Sequence, residues 1–413
     1  MFGDTLRYMN FFKLYITLFS LLCSLHVSAR YDETLPKGVR LLAVRQVMTN
    51  DISQMRNQTG AFESYGVGYE LDLKSLSSVE SLEEVMSFLK SDNPELYENL
   101  TFGSFNFDVE AKANVTGIGM GYGISNRATL YAVIPYYRAS VNVKQTQTKG
   151  HNYEEVERLQ NQSGRDGVKV DLNSLNIDVN NSFIQSAIQD FYGYEPLGLW
   201  EAEGLGDIEL GLKYRIKEFD NAGFLVTGGF LFPTGREDNP DIIQDIAFGR
   251  GHFGLFAEAG MGFTLGLDHE FDLWARYEHY LDDDKEFRPQ RSAGDLTDRK
   301  FLFNVSPGAE VQVSQGYNYL LNDWITLGGS VLYERRLRSK FSSSLTRDGQ
   351  ILENISGFES TMATAFIDLT TVRPYLKKKF IAPMKLTLRV DDTLNGKNVP
   401  DMTLYSMELR LFF

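Results

Sequence analysis

The feature that most constrains this chain is an alternation of apolar and polar residues with period two, which recurs along the chain and runs to its last residue. Tyr405, Met407, Leu409, Leu411 and Phe413 alternate with Ser406, Glu408, Arg410 and Phe412. Successive side chains of a strand point to opposite faces, so one face here is apolar and the other mostly polar. Upstream, Ile208, Leu210, Leu212, Tyr214 and Ile216 alternate with Asp207, Glu209, Gly211, Lys213 and Arg215. Phe253 to Phe263 places Glu258 on its polar face, and Phe271 to Tyr277 places Asp272, Trp274, Arg276 and Glu278 there. Phe301, Phe303, Val305 and Ala309 oppose Lys300, Asn304, Ser306 and Glu310. Ile325 to Tyr333 sets Glu334 and Arg336 opposite its apolar set, and Met384 to Val390 sets Lys385, Thr387 and Arg389. A transmembrane antiparallel β-barrel requires this pattern, with lipid outside and a polar lumen inside.

Composition agrees with an all-β membrane chain and excludes some alternatives. Mean hydropathy is -0.25, too low for a helical membrane protein but ordinary for a barrel, in which only alternate residues meet lipid. Phe (29), Tyr (21) and Gly (36) are abundant, which suits strands, interfacial girdles and turns. The net charge of -14 argues against a nucleic-acid partner, which would need a basic face. Near the start, Lys13 precedes the apolar run Leu14 to Leu22, and Val27-Ser28-Ala29 follows. This is the layout of a cleavable export signal at 1–29, with cleavage expected after Ala29 and Met9 as an alternative initiator; the run is short for a membrane anchor. The mature region, 30–413, would then form one barrel. The single cysteine, Cys23, falls within the leader, so the mature region could form no internal disulfide.

The pattern predicts roughly 12 strands, near 38–50, 103–124, 128–146, 206–218, 222–234, 252–266, 270–282, 299–313, 324–338, 360–371, 383–391 and 401–413. Short connections, at Ser125-Asn126-Arg127, Phe219-Asp220-Asn221, Leu267-Asp268 and around Asn318, alternate with long ones at 51–102, 147–205, 235–251, 283–298 and 339–359. Short periplasmic turns and long extracellular loops are the barrel arrangement. The turn at 372–382 is longer than its siblings, and the loop at 392–400 shorter. Two long loops carry helix signals. Ser77-x-x-Glu80 reads as a capping box before Val85, Met86 and Leu89, and Asn181 or Ser182 as a cap before Ile184 and Ile188. These helices would either pack within their loops or cover the barrel mouth. Two prolines, Pro135 and Pro307, fall inside proposed strands. Around Thr116-Gly117 the polar face changes parity, for which a β-bulge is the expected remedy.

No motif specifies a reaction. His151, His252, His269 and His279 lie outside any His-x-Ser-Asn-Gly arrangement of the kind found in outer-membrane phospholipases. No His/Cys/Asp/Glu spacing suggests zinc, and Asp282-Asp283-Asp284 reads as a solvated acidic loop before it reads as a cation site. No enzyme activity, cofactor or metal is therefore expected. The polar faces define the candidate lumen: Lys213, Arg215, Glu258, Trp274, Arg276, Glu278, Glu310, Glu334, Arg336, Arg389, Glu408 and Arg410. Acids and bases nearly balance, with Glu258–Arg276 and Arg389–Glu408 as expected cross-strand pairs. Such a lumen would be braced and narrow, or the charges would serve the barrel's stability alone. Tyr131, Val133, Phe256, Trp274 and Leu302 are candidates for an apolar stretch of its wall. The expected partners are outer-membrane lipid and lipopolysaccharide, an unspecified small-molecule solute, and the barrel-assembly machinery, whose recognition signal the strand ending in Phe413 resembles.

The segment Gly204-Leu205-Gly206-Asp207-Ile208-Glu209-Leu210-Gly211-Leu212-Lys213-Tyr214-Arg215 resembles the outer-membrane proteins named after the phenol meta-degradation pathway, relatives of aromatic-hydrocarbon transporters. Pro233-Thr234-Gly235, Leu35-Pro36-Lys37-Gly38 and Tyr122-Gly123-Ile124-Ser125-Asn126-Arg127 followed by Ile134-Pro135-Tyr136 share in the resemblance. It implies a barrel that passes small hydrophobic or aromatic compounds. The helical loops at 77–90 and 181–192 depart from the family pattern by their length.

Overall fold

A computed structural model describes residues 33–76, 83–164, 166–173, 179–190, 192–289, 296–344 and 349–413. The expected leader and the Ser77–Glu80 capping box lie outside the described residues. Fourteen strands form one hydrogen-bonded antiparallel sheet that closes on itself. Val67–Asp72 only extends its rim, and Leu199–Leu205 and Ile208–Glu218 are two pieces of one strand, so the wall has twelve strands. They are β1 (Arg40–Thr49), β2 (Thr101–Ser125), β3 (Ala128–Lys149), β4 (Leu199–Leu205 with Ile208–Glu218), β5 (Ala222–Phe232), β6 (Gly254–Leu265), β7 (His269–Tyr280), β8 (Glu310–Leu320), β9 (Ile325–Arg336), β10 (Phe358–Thr370), β11 (Met384–Lys397) and β12 (Thr403–Phe412). Each pairs with its sequence neighbours, and β1 closes the ring on β12. At the seam Arg40 and Phe413 exchange backbone hydrogen bonds of 2.7 and 3.0 Å. Closure removes every free sheet edge from the wall, the condition a barrel must meet in lipid.

Both ends of the barrel chain lie at the end carrying the short turns, called here the terminal end; the long connections gather at the opposite, loop end. The alternation does what the sequence predicts. On β7, Leu273, Tyr277 and His279 are exposed on the outer face while Trp274, Arg276, Glu278 and Tyr280 are buried inside. On β12, Tyr405, Met407 and Leu409 are outside and Ser406, Glu408 and Arg410 inside.

Four expectations need correction. First, the segment 299–313 is not one wall strand. Phe301–Ser306 belongs to a separate three-stranded sheet with Asp283–Phe287 and Lys340–Ser342 at the loop end, and the wall strand is Glu310–Leu320; Asn318 is buried within that strand, and the short turn expected around it lies at 321–324 instead. Phe303 and Val305 pack on Leu352 rather than facing lipid, and Leu302 is exposed, not in the lumen. Pro307 thus falls between strands, where its missing donor costs nothing. Second, β2 has no bulge near Thr116; its register runs unbroken there. Asp108, Glu110, Lys112 and Asn114 share the outer face with Ile118, Met120, Tyr122 and Ile124. The polar residues stand beyond the apolar band, so the change of character marks the edge of the lipid zone rather than a change of side. Third, β4 begins at Leu199 and is interrupted at Gly206-Asp207. Fourth, β11 runs on to Lys397, which shortens the last loop further.

Pro135 stays within β3 opposite Gly117. The helix Asn181–Asp190 is capped one residue earlier than expected: the Asn180 carboxamide oxygen accepts the Phe183 N–H at 3.1 Å.

Candidate functional site: the closed lumen

The interior has two layers of opposite character. Towards the loop end the inward residues of β2 are apolar: Phe105, Phe107, Val109, Ala111, Ala113 and Val115 are all buried. They join Val47, Tyr137, Val141, Trp200 and Leu404 from the wall in the main hydrophobic core. The loops complete it with Ile52, Met55 and Tyr65, with Ile184 and Ile188 of the helix Asn181–Asp190, and with Ile246 and Phe248. The mouth is therefore packed as a protein interior is packed. A smaller core, with Met86, Leu96, Tyr153 and Val156, joins the helices Glu83–Asp92, Pro94–Asn99 and Tyr153–Gln162 to one another. Of the two helical loops, the one at 181–190 covers the mouth and the one at 83–99 packs within its own cluster.

Below this core the lumen is ionic. Arg276 donates to Glu209 at 2.8 Å and to Glu278 at 2.7 Å, with its guanidinium 3.9 Å from the centre of the Phe256 ring. Tyr131 donates to Glu209 at 2.6 Å, Tyr280 donates to Glu278, and Thr227 donates to Glu258 at 3.3 Å. Glu310, 1 % exposed, is approached by Arg336 at 3.2 Å, by Gln312 at 3.0 Å and by Arg250. On the other side of the lumen, Lys385 and Thr387 hold Asp368 at 2.7 and 2.6 Å, Arg389 pairs with Asp391, and Arg410 pairs with Glu408. Glu334 is buried on the inner face of β9. Lys213 lies on the inner face of β4, and Arg215, nearer the terminal end, pairs with Glu218 at 3.1 Å.

The expected candidates thus meet, but with different partners. Glu258 and Arg276 are opposed in register, yet Arg276 turns to Glu209 and Glu278. Arg389 and Glu408 each pair along their own strand, at i+2, instead of with each other. Residues two apart share a face within about 7 Å, and long side chains bridge that span as easily as they cross to a neighbour. Sequence reasoning missed Asp368 and Asp391. Both sit on the polar parity of β10 and β11 and could have been read from it. Arg250 was also missed. It lies in a loop, where periodicity gives no signal.

Arg250 belongs to the segment 233–253, which folds into the barrel. Its neck is fastened to Asp207, in the gap between the two pieces of β4. That carboxylate accepts the Gly235 N–H at 2.9 Å and the Arg250 N–H at 2.6 Å. A Cβ on Gly249 would come within 2.2 Å of Asp207 Oδ1, and one on Gly235 within 2.7 Å of the Gly249 Cα; only glycine lets the two limbs of the neck meet here. Arg236 N–H donates to the Leu205 carbonyl at 3.1 Å, and the Arg236 guanidinium grips Asp245 at 2.5 and 2.7 Å. The second pin is the Arg250 side chain, which lies over the Tyr280 ring at 4.4 Å and pairs with Glu310. Arg288, from the next loop, ties Asp241 at 2.9 Å to the Tyr192 and Gly193 carbonyls at 2.5 and 2.9 Å, which locks three loops together.

The apolar wall candidates serve packing. Tyr131 and Phe256 cover the ionic layer, Val133 is half-buried on the inner parity of β3, and Trp274 packs with Leu225 and Leu332 across the lumen. Of the histidines, His151 stacks on Tyr153 at 3.8 Å, His269 meets the Tyr317 hydroxyl at 2.8 Å, His279 lies on the outer face, and His252 is buried at the end of the inward loop. Among the described residues no group of three or more His, Cys, Asp or Glu side chains could hold a metal ion.

Among solved structures, the fold matches that of an outer membrane channel from Pseudomonas putida F1. The match has a TM-score of 0.53 and 12% sequence identity, and spans 94% of this chain and all of that one. The Ralstonia pickettii toluene transporter TbuX (TM-score 0.35, 10% identity, 92% of this chain and 90% of that one) and the Pseudomonas putida toluene transporter TodX (0.34, 11%, 99% and 95%) are more distant in shape. No protein-family profile and no curated protein matches the sequence. At such identity, the first of these structures bears on the fold alone, that of a membrane β-barrel.

Proposed function

We propose that this chain is an outer-membrane channel for small hydrophobic or aromatic molecules, described here in a closed conformation. The terminal end would face the periplasm and the loop end the exterior. The observation that carries this reading is the interior itself. An apolar core beneath the loops stands over a charge-balanced, ion-paired layer, and an inward loop is fastened to the wall between them by two separate pins. A one-sign ring would favour ion conduction; paired charges favour a path that small ions do not use freely. The resemblance to aromatic-hydrocarbon transporters and the channel function of the Pseudomonas putida F1 protein support transport as the role, and no enzymatic role is proposed. Two measurements test the reading. The refolded mature chain in a planar bilayer should give little steady current, and cells expressing it should take up labelled toluene faster than cells lacking it, with uptake of a small sugar unchanged. Equal toluene uptake would overturn transport and favour a structural barrel, a role that the dense ionic bracing also suits.

A further inference from the structure

The turn 371–383 is longer than the others at the terminal end, which occupy 126–127, 219–221, 266–268 and 321–324. Against a chain net charge of -14, it carries three consecutive lysines, Lys377, Lys378 and Lys379, all exposed. Its geometry is fixed from both sides. The Lys377 ammonium pairs with Asp323 of the adjacent turn at 2.6 Å, the Phe380 ring meets Trp324 edge-on at 5.7 Å, and the Thr371 hydroxyl donates to the Ala382 carbonyl at 2.6 Å. Among the described residues no hydrogen bond or ion pair involves the side chains of Lys378 or Lys379. Beside them Leu376 is 73 % and Ile381 92 % exposed. The outer faces of the adjoining strands carry Leu369, Leu388 and Leu409, also exposed. Past the apolar outer faces of the strands, the two adjacent turns thus carry an aromatic pair and cations side by side. A membrane boundary selects this arrangement: rings sit at the headgroup level and lysine stems extend along apolar surface to place their charge in the polar zone.

We propose that this turn is a binding surface for anionic phospholipid in the leaflet at the terminal end, with Lys378 and Lys379 on the headgroup phosphate and Leu376 and Ile381 among the first acyl carbons. The proposal rests on the reading of the chain as a membrane barrel. Trp324 provides the probe, because it is 43 % exposed while Trp200 and Trp274 are buried. The full mature chain carrying Trp200→Phe and Trp274→Phe is refolded into phosphatidylcholine vesicles. These contain a minor fraction of either brominated phosphatidylglycerol or brominated phosphatidylcholine, and folding is confirmed by heat-modifiable gel mobility. Brominated phosphatidylglycerol should quench Trp324 more strongly, with each lysine contributing roughly five-fold enrichment of anionic lipid. The preference should vanish in Lys378→Gln/Lys379→Gln and shrink at high salt. Equal quenching by the two lipids, or a preference that survives the double substitution, overturns the proposal. Quenching by neither lipid overturns the membrane reading as well, so the two failures are distinguishable. Should the double Phe variant fail to refold, the same comparison on the three-tryptophan chain remains decisive, since the two buried rings add only a constant background.

Discussion

At the residue scale, the inward loop shows how a single side chain carries a consequence for pH. Burial and the nearby Lys285 and Arg250 cations lower the His252 imidazole from 6.5 to about 4, against the opposing pull of Asp283 and the Leu281 backbone. A base whose folded pKa lies below its unfolded value is protonated first in the unfolded chain, so the closed loop loses stability as pH falls through the window from about 6.5 to about 4. The opening equilibrium of this segment, followed as amide exchange of 236–253 corrected for its intrinsic base-catalysed rate at each pH, should shift towards open as pH falls across that window, and His252→Asn should make it insensitive there. An unchanged slope in the variant would assign the effect to the carboxylates. No sequence pattern exposed this histidine: a lone His before a strand looks the same whether it is solvated or, as here, buried.

At the scale of elements, strand and loop obey different rules. The strands were legible because their side chains alternate between two environments, and an apolar band a fixed height tall leaves a regular mark on every crossing. The largest error falls where another apolar environment imitates lipid. Phe301, Phe303 and Val305 alternate as a wall strand does, but the partner is Leu352 beneath a loop-end sheet. The neck of loop 233–253 depends instead on glycine. Gly249→Ala places a methyl carbon against the Asp207 carboxylate; in a close-packed site this costs about 1–3 kcal/mol. Urea titration should show destabilisation of that order, and Asp207→Ala in the same chain should relieve part of the clash while losing the two N–H bonds. A neutral Gly249→Ala would mean that the neck is looser than drawn.

At the scale of the whole molecule, the barrel and its closure are separable. The wall is held by its own ladders, whereas the inward loop is held to it by polar contacts at Leu205, Asp207 and Glu310 and by Ile246 and Phe248 in the apolar core. Removing both pins with Asp207→Ala and Arg250→Met should leave heat-modifiable mobility intact and raise steady conductance several-fold over the unaltered chain. No rise, with exchange of 236–248 demonstrably faster, would locate the barrier in the ionic layer beneath. Removing one partner of a buried pair costs about 3–5 kcal/mol, so Arg250→Met also predicts a measurable loss of loop protection by itself. The amino-acid sequence determined a wall of about twelve strands, the face most of them turn inward, the near-balance of lumen charge and the alternation of short turns with long loops, because these follow from local period and residue type. Only the tertiary structure decided which charges pair, that 301–306 leaves the wall, that the mouth is filled with an apolar core, and that Arg250 reaches Glu310. Those depend on barrel curvature, on register across the ring and on loops meeting over distances that no periodicity encodes.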